Sequence, residues 1–201
     1  MLQLRDLRCE RGERLLFDQF NVNCAPGDLV EIRGANGCGK STLLRIIAGL
    51  AQDYEGSVTW LEQGVAVPAS EFRSRSLYLG HSSAVKASLT PLENLTWLSE
   101  LSGPVDHARA EAALQTMQLA ECDGVLCHHL SAGQQRRVAL ARLLTVDAQL
   151  WILDEPFTAL DAAGVTLLQS LIQQQAEQGG LVILTTHQPL TGVSDVKLVQ
   201  L

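Results

Sequence analysis

The chain has 201 residues, 46% of them hydrophobic and 18% charged, with a formal net charge of −7. That composition suits one folded domain with a substantial core and excludes a disordered chain. The negative balance gives no electrostatic support to a nucleic-acid partner, and no apolar run approaches the ~20 residues that span a bilayer.

Residues 2–9 and 15–23 read as two strands joined across a polar stretch that includes Arg11. Ala25, Pro26, Gly27 and Asp28 make a turn, and the apolar run Leu29, Val30, Glu31, Ile32 reads as a third strand. It runs into Gly34-Ala35-Asn36-Gly37-Cys38-Gly39-Lys40-Ser41-Thr42 and then an apolar helical stretch. Strand, glycine-rich loop and helix in that order form a phosphate-binding loop. Glycines 34, 37 and 39 let successive N–H groups turn inward as an anion nest, and the helix adds the positive end of its dipole. Lys40 then reaches the β- and γ-phosphates, and the Ser41 hydroxyl is placed to ligand Mg²⁺. A nucleoside triphosphate is the expected ligand.

After a connection at 49–56, residues 57–60 read as a short strand, 61–75 as irregular, and 77–79 as another strand. Thr90, Pro91 and Glu93 combine an N-cap, a first-turn proline and a capping-box glutamate, so a helix is expected to about Leu101, broken by Ser102-Gly103-Pro104. A second helix is expected over 108–119. A third starts at Ser131, where Ser131-Ala132-Gly133-Gln134 repeats the capping-box pattern. Residues 150–153 and 181–185 read as buried strands flanking a helix over 164–177, and 196–201 as an edge strand. The expected architecture is α/β: a nucleotide-binding core of residues 1–83 and 146–201, with a helical subdomain, residues 84–145, inserted in it.

Two carboxylates, Asp154 and Glu155, end the strand at 150–153. In a parallel sheet that end lies at the same edge as the phosphate loop. Asp154 would hold Mg²⁺, and Glu155 would orient or deprotonate the attacking water.

The stretch Leu130-Ser131-Ala132-Gly133-Gln134-Gln135-Arg136-Arg137 resembles the signature motif of ABC-transporter ATPases, with Ala132 in place of a usual glycine. The resemblance implies a P-loop NTPase of ABC type with N-terminal antiparallel strands, an ATPase using ATP and Mg²⁺. It also implies a homodimer formed on ATP binding, in which Ser131, Gly133 and Gln134 of one copy close on the nucleotide of the other. Asp161 then belongs to a loop contacting the partner copy, and His187 to a switch at the γ-phosphate. The family's usual glutamine after the strand at 77–79 is replaced by His81, which would take over contact with Mg²⁺ and water. The position where many members stack an aromatic residue on adenine holds Arg11, which either stacks on the base or is a solvated loop residue.

Residues 130–143, the run Leu-Trp-Ile-Leu-Asp-Glu-Pro-Phe-Thr-Ala at 150–159, and Thr185-Thr186-His187-Gln188-Pro189-Leu190 are similar to the ATP-binding subunits of bacterial cytochrome c maturation systems. That similarity implies membrane subunits CcmB and CcmC as partners, with ATP hydrolysis driving haem delivery by release of the haem-loaded chaperone CcmE. Membrane contact would come through those partners, at the cytoplasmic face of the inner membrane. Rival readings are the ATPase of another small-solute or lipid transporter and a soluble ABC ATPase acting on nucleic acid or ribosomes.

The opening residues lack a long apolar segment, so no leader peptide is expected. The five cysteines, at 9, 24, 38, 122 and 127, are odd in number and scattered, which suits a reducing compartment. Cys122, Cys127 and His128 form C-x₄-C-H, a spacing wider than that of covalent haem attachment, and are expected to be structural or surface residues.

Overall fold

The computed structural model describes residues 1–100 and 106–201. An antiparallel hairpin opens the chain: β1 (Leu2–Arg11) and β2 (Arg14–Cys24) pair with Arg11 opposite Arg14. β3 (Leu29–Arg33) leads into the phosphate loop and α1 (Lys40–Ile47). β4 (Glu55–Glu62) then returns beside β1, antiparallel to it.

The stretch at 61–75, expected to be irregular, is ordered. β4 runs on to Glu62, turns through Gln63 (φ 50°) and Gly64 (φ 82°), and pairs with β5 (Val65–Ala66). Two successive positive φ values give the tight hairpin turn that suits strand twist. α2 (Ala69–Ser74) follows, held by one buried side chain, Phe72, whose ring centroid lies 5.6 Å from that of Trp60. A single anchor leaves no periodicity to read, which is why the sequence pattern misses the helix.

β6 (Ser76–Leu79) leads to α3 (Pro91–Glu100), α4 (His107–Thr116) and α5 (Ala132–Thr145). Thr90 and Glu93 cap α3 reciprocally: Glu93 N–H donates to Thr90 Oγ1 (3.2 Å) and Thr90 N–H to Glu93 Oε2 (2.8 Å). The expected helix end near Leu101 and its break at Ser102-Gly103-Pro104 lie outside the described residues. α4 departs from its expected bounds. Asp106 caps it by accepting from Arg109 N–H, and it stops at Thr116 because the chain turns left-handed at Gln118 (φ 59°). β7 (Leu150–Asp154), α6 (Ala162–Glu177), β8 (Leu181–Thr185) and β9 (Val196–Gln200) complete the chain.

The strands form two sheets. One is antiparallel in the order β2-β1-β4-β5, and the other is parallel in the order β6-β7-β8-β3-β9. Two cores follow from strand alternation. Leu150, Ile152, Leu181 and Ile183 point to one face of the parallel sheet, where they meet Leu43, Leu44, Ile46 and Ile47 of α1 and the inner face of the antiparallel sheet. Trp151, Leu153, Val182 and Leu184 point to the other face and meet α5 and α6. α1 is thus pinned between two sheets, and the phosphate loop before it has a rigid seat.

Candidate nucleotide site

Three parallel strands deliver the site to one edge. β3 feeds the phosphate loop, β7 ends in Asp154, and β8 ends in Thr185, two residues before His187. Gly39 precedes α1 at φ 109° with no side-chain cap, so the first-turn N–H groups lack a side-chain acceptor, as an anion site requires. A Cβ at Gly39 would also press on Leu16 Cβ (3.1 Å) and the Phe17 ring (3.2 Å). At Gly34 it would meet Cys38 Sγ at 2.6 Å and the Leu201 carbonyl oxygen at 3.0 Å, so a side chain there would force its neighbours to shift. Lys40 Nζ donates to the carbonyls of Gly34 (2.8 Å) and Ala35 (3.2 Å), which holds its ammonium over the loop.

A cavity of about 480 Å³ gathers most of the expected residues. Asn36, Gly37, Gly39, Lys40, Ser41 and Thr42 line it from the loop, Asp154, Glu155 and His187 from the strand ends, and Arg11 from the first hairpin. Cys38 is partly exposed and packs back onto Gly34 instead of lining the cavity. His81 is exposed and does not line it either; its carbonyl accepts from Arg136 Nη1 (3.5 Å).

The Asp154 carboxylate and the Glu155 backbone are held by a residue the sequence reading did not single out. Thr185 Oγ1 donates to Asp154 Oδ1 (2.8 Å) and accepts from the N–H of Glu155 (3.1 Å). Asp154 is 3% exposed and has no ion-pair partner among the described residues. A buried carboxylate in that position calls for a cation, and with the Ser41 hydroxyl in the same cavity the oxygen donors suit Mg²⁺. Glu155 sits at φ 48°, a left-handed conformation costing on the order of 1–3 kcal/mol for a side-chain-bearing residue. Its Oε1 lies 3.3 Å from His187 Nε2.

The remaining expected residues assemble elsewhere. Ser131 and Gln134 close a capping box at the start of α5, Gln134 N–H donating to Ser131 Oγ (3.2 Å) and Ser131 N–H to Gln134 Oε1 (2.9 Å). Gly133 lies so close to the Ala159 carbonyl that a Cβ there would stand 2.9 Å from its oxygen. Asp161 caps α6 through Gly164 N–H (2.9 Å) and accepts from Arg137 Nη2 (2.6 Å). The Gly164 N–H, then the Arg137 guanidinium, holds the Asp161 carboxyl below the usual carboxylate range. Ser131, Gly133, Gln134 and Asp161 thus gather around the α5 start and the 159–161 loop, and none of them lines the cavity.

Two further lining residues, Arg14 and Leu16, were missed by sequence reading. Arg14 faces Arg11 across the β1–β2 turn, and its guanidinium lies beside Gly37. The two-residue turn was the available signal, since it makes neighbours of Arg11 and Arg14. Cys122 and Cys127 are buried, and Asn94 Nδ2 donates to Cys127 Sγ (3.3 Å). A larger cavity, about 950 Å³, opens at the opposite edge of the parallel sheet and carries none of the phosphate-loop residues.

The sequence profile of the ABC transporter family matches residues 17–158. The cytochrome c biogenesis ATP-binding export protein CcmA of Saccharophagus degradans is 48% identical, the match covering 98% of this chain and 92% of that one. Its namesake in Aliivibrio fischeri is 47% identical over 94% of this chain and 93% of its own. Among solved structures, an ABC transporter ATP-binding protein from Pyrococcus furiosus superposes with a TM-score of 0.83 at 25% identity, covering 100% of this chain and 96% of that one. A dimeric ATP-binding cassette in a post-hydrolysis state, bound to ADP and Pi, gives 0.82 at 27% identity over 94% of this chain and 88% of its own. The chain belongs to the ABC transporter family of ATP-binding, ATP-hydrolysing domains, among the cytochrome c biogenesis ATP-binding export proteins.

Proposed function

We propose that this chain is the ATP-hydrolysing subunit of a membrane complex for cytochrome c biogenesis. One observation carries the reading: Lys40, Ser41, Asp154, Glu155 and His187 converge on one cavity at the carboxyl edge of a parallel sheet. The relatives' names supply the process it serves.

In this reading the loop N–H groups and Lys40 hold the β- and γ-phosphates of ATP. Ser41 and Asp154 hold Mg²⁺, whose chemistry is to neutralise charge on the phosphate oxygens. Glu155 accepts the proton of the attacking water, and His187, 3.3 Å away, orients that carboxylate and contacts the γ-phosphate. Ser131, Gly133 and Gln134 serve the nucleotide of a second copy in a head-to-tail homodimer, with Asp161 at the contact between copies. The dimeric cassette among the solved structures supports association of two copies. His81 reaches nucleotide and metal only if its loop moves inward from its exposed position. Residues 84–145 act as the helical subdomain that transmits closure to membrane subunits CcmB and CcmC, and turnover drives haem delivery by releasing CcmE. No described helix is long and apolar enough to cross a membrane, so attachment at the inner face is assigned to those partners.

The test is affinity capture of tagged Glu155→Gln protein from membranes with MgATP, beside ATPase assays of Glu155→Gln and Lys40→Ala. Recovery of the cytochrome maturation subunits with both variants inactive supports the reading. Recovery of another permease discards the haem assignment, and normal turnover in both variants discards the site.

A further inference from the structure

Arg136, on the first turns of α5, is 4% exposed and makes no ion pair among the described residues. Its guanidinium is spent on backbone carbonyls. Nε donates to Pro156 O (3.2 Å), Nη1 to Gly80 O (3.0 Å) and His81 O (3.5 Å), and Nη2 to Asp154 O (3.3 Å) and Glu155 O (2.9 Å). Burial pulls its pKa down, while the nearby carboxylates of Asp154 and Glu155 pull the other way. These acceptors come from two separate segments: the one leaving β6, and the one leaving β7.

The second segment contains the strained residue. Glu155 at φ 48° has its N–H fixed by Thr185 Oγ1 and its carbonyl fixed by Arg136 Nη2 (2.9 Å), with a longer bond from the Thr158 N–H (3.3 Å). A left-handed side-chain-bearing residue persists only where its surroundings over-determine it. Here the two side-chain clamps come from different parts of the molecule. Thr185 ends β8 in the middle of the parallel sheet, whereas Arg136 rides on the helix that begins with Ser131 and Gly133.

We propose that Arg136 is a positioning residue: it sets the aim of the Glu155 carboxylate and ties that aim to the position of α5 and of the loop carrying His81. The proposal rests on Glu155 being the carboxylate that activates water. A planar fork with five N–H donors suits this task, and an ammonium, a point charge with three, cannot span both segments. Displacing α5 therefore displaces the backbone at Glu155, while the phosphate loop, which opens α1 on the opposite face of the parallel sheet, keeps its hold on nucleotide.

The experiment compares wild type, Arg136→Lys, Glu155→Gln and the double variant, all as full-length chain. Readouts are kcat, KM for MgATP, ATP affinity by titration calorimetry, and the unfolding midpoint. Arg136→Lys is expected to lower kcat roughly a hundredfold, the scale of a 1 Å misplacement, with KM and ATP affinity within about twofold. In the Glu155→Gln background the same change is expected to add less than about twofold, because the group it aims is already gone. An unchanged kcat, parallel losses of kcat and affinity, or multiplicative losses in the double variant would each overturn the proposal. Full turnover in Glu155→Gln alone would instead remove the reading beneath it, leaving the kcat of Arg136→Lys to be explained otherwise. If Arg136→Lys does not fold, Arg136→Gln is read in the same way; failure of both to fold makes the residue structural and also overturns the proposal.

Discussion

Replacing Thr185 with valine changes almost no volume and removes one hydroxyl. That hydroxyl donates to Asp154 Oδ1 at 2.8 Å and accepts from Glu155 N–H at 3.1 Å, in a residue with 0% exposure. A hydrogen bond to a charged group contributes about 1.5–3 kcal/mol and a neutral one about 1 kcal/mol, and burial leaves both orphaned partners without water. The expected cost is therefore about 2–4 kcal/mol, which for a chain of this length lowers the melting midpoint by roughly 5–15 °C. Thr185→Ser keeps the hydroxyl and loses a methyl, for about 1 kcal/mol. Urea unfolding of both variants separates the terms, and MgATP turnover reads the effect on the carboxylates. Valine should abolish most turnover and serine should retain it. A valine variant as stable and as active as wild type would refute the bridge between Asp154 and Glu155.

Arg14→Ala should raise KM for MgATP several-fold with kcat little changed. Loss of a cation from the cavity wall should also flatten the salt dependence of binding, as measured by titration at low and high salt. Among the cysteines, Cys38 should react first with a small alkylating reagent, and ATP should slow it. Burial raises the thiol pKa of Cys9 and Cys127 and pushes Cys24 up to about 11, whereas Cys38 is partly exposed in the phosphate loop; mass spectrometry of partly labelled protein checks the order. Asp161→Asn keeps the cap on α6 and loses the charge facing Arg137. Because the folded Asp161 carboxyl titrates below the ordinary value, its contribution is present above pH ~4 and fades as pH falls through the folded value. The difference in melting midpoint between variant and wild type should shrink in the same direction.

What could be read from the sequence follows the distance along the chain over which each device acts. The phosphate loop is contiguous, and so is the capping box at Ser131 and Gln134; each announces itself through spacing alone. The apolar runs at 150–153 and 181–185 give buried strands, and a parallel sheet then forces their ends to the loop's edge. The expected strand at 57–60 is longer than predicted, and the segment after it carries a hairpin and α2 that no pattern betrays, because one phenylalanine anchors the helix. His81 stands where the family resemblance puts a glutamine; in this structure its side chain is exposed and its carbonyl accepts from Arg136.

Thr185 and Arg136 were invisible for one physical reason. Each acts through partners distant in sequence: Thr185 reaches Asp154 across 31 positions, and Arg136 reaches Gly80 across 56. Thr185 also ends an apolar run in which any β-branched residue satisfies the pattern, so its hydroxyl carries no periodic signal. Arg136 sits beside Arg137 in a helix where a pair of cations reads as a solvated face, although both are buried. A stretch that holds a ligand with its own backbone must be contiguous, and so it is legible. A side chain that holds another residue's backbone is free to come from anywhere the fold can bring it. The parts of such a site that aim the chemistry therefore emerge only from coordinates, even where the parts that perform it can be read from sequence.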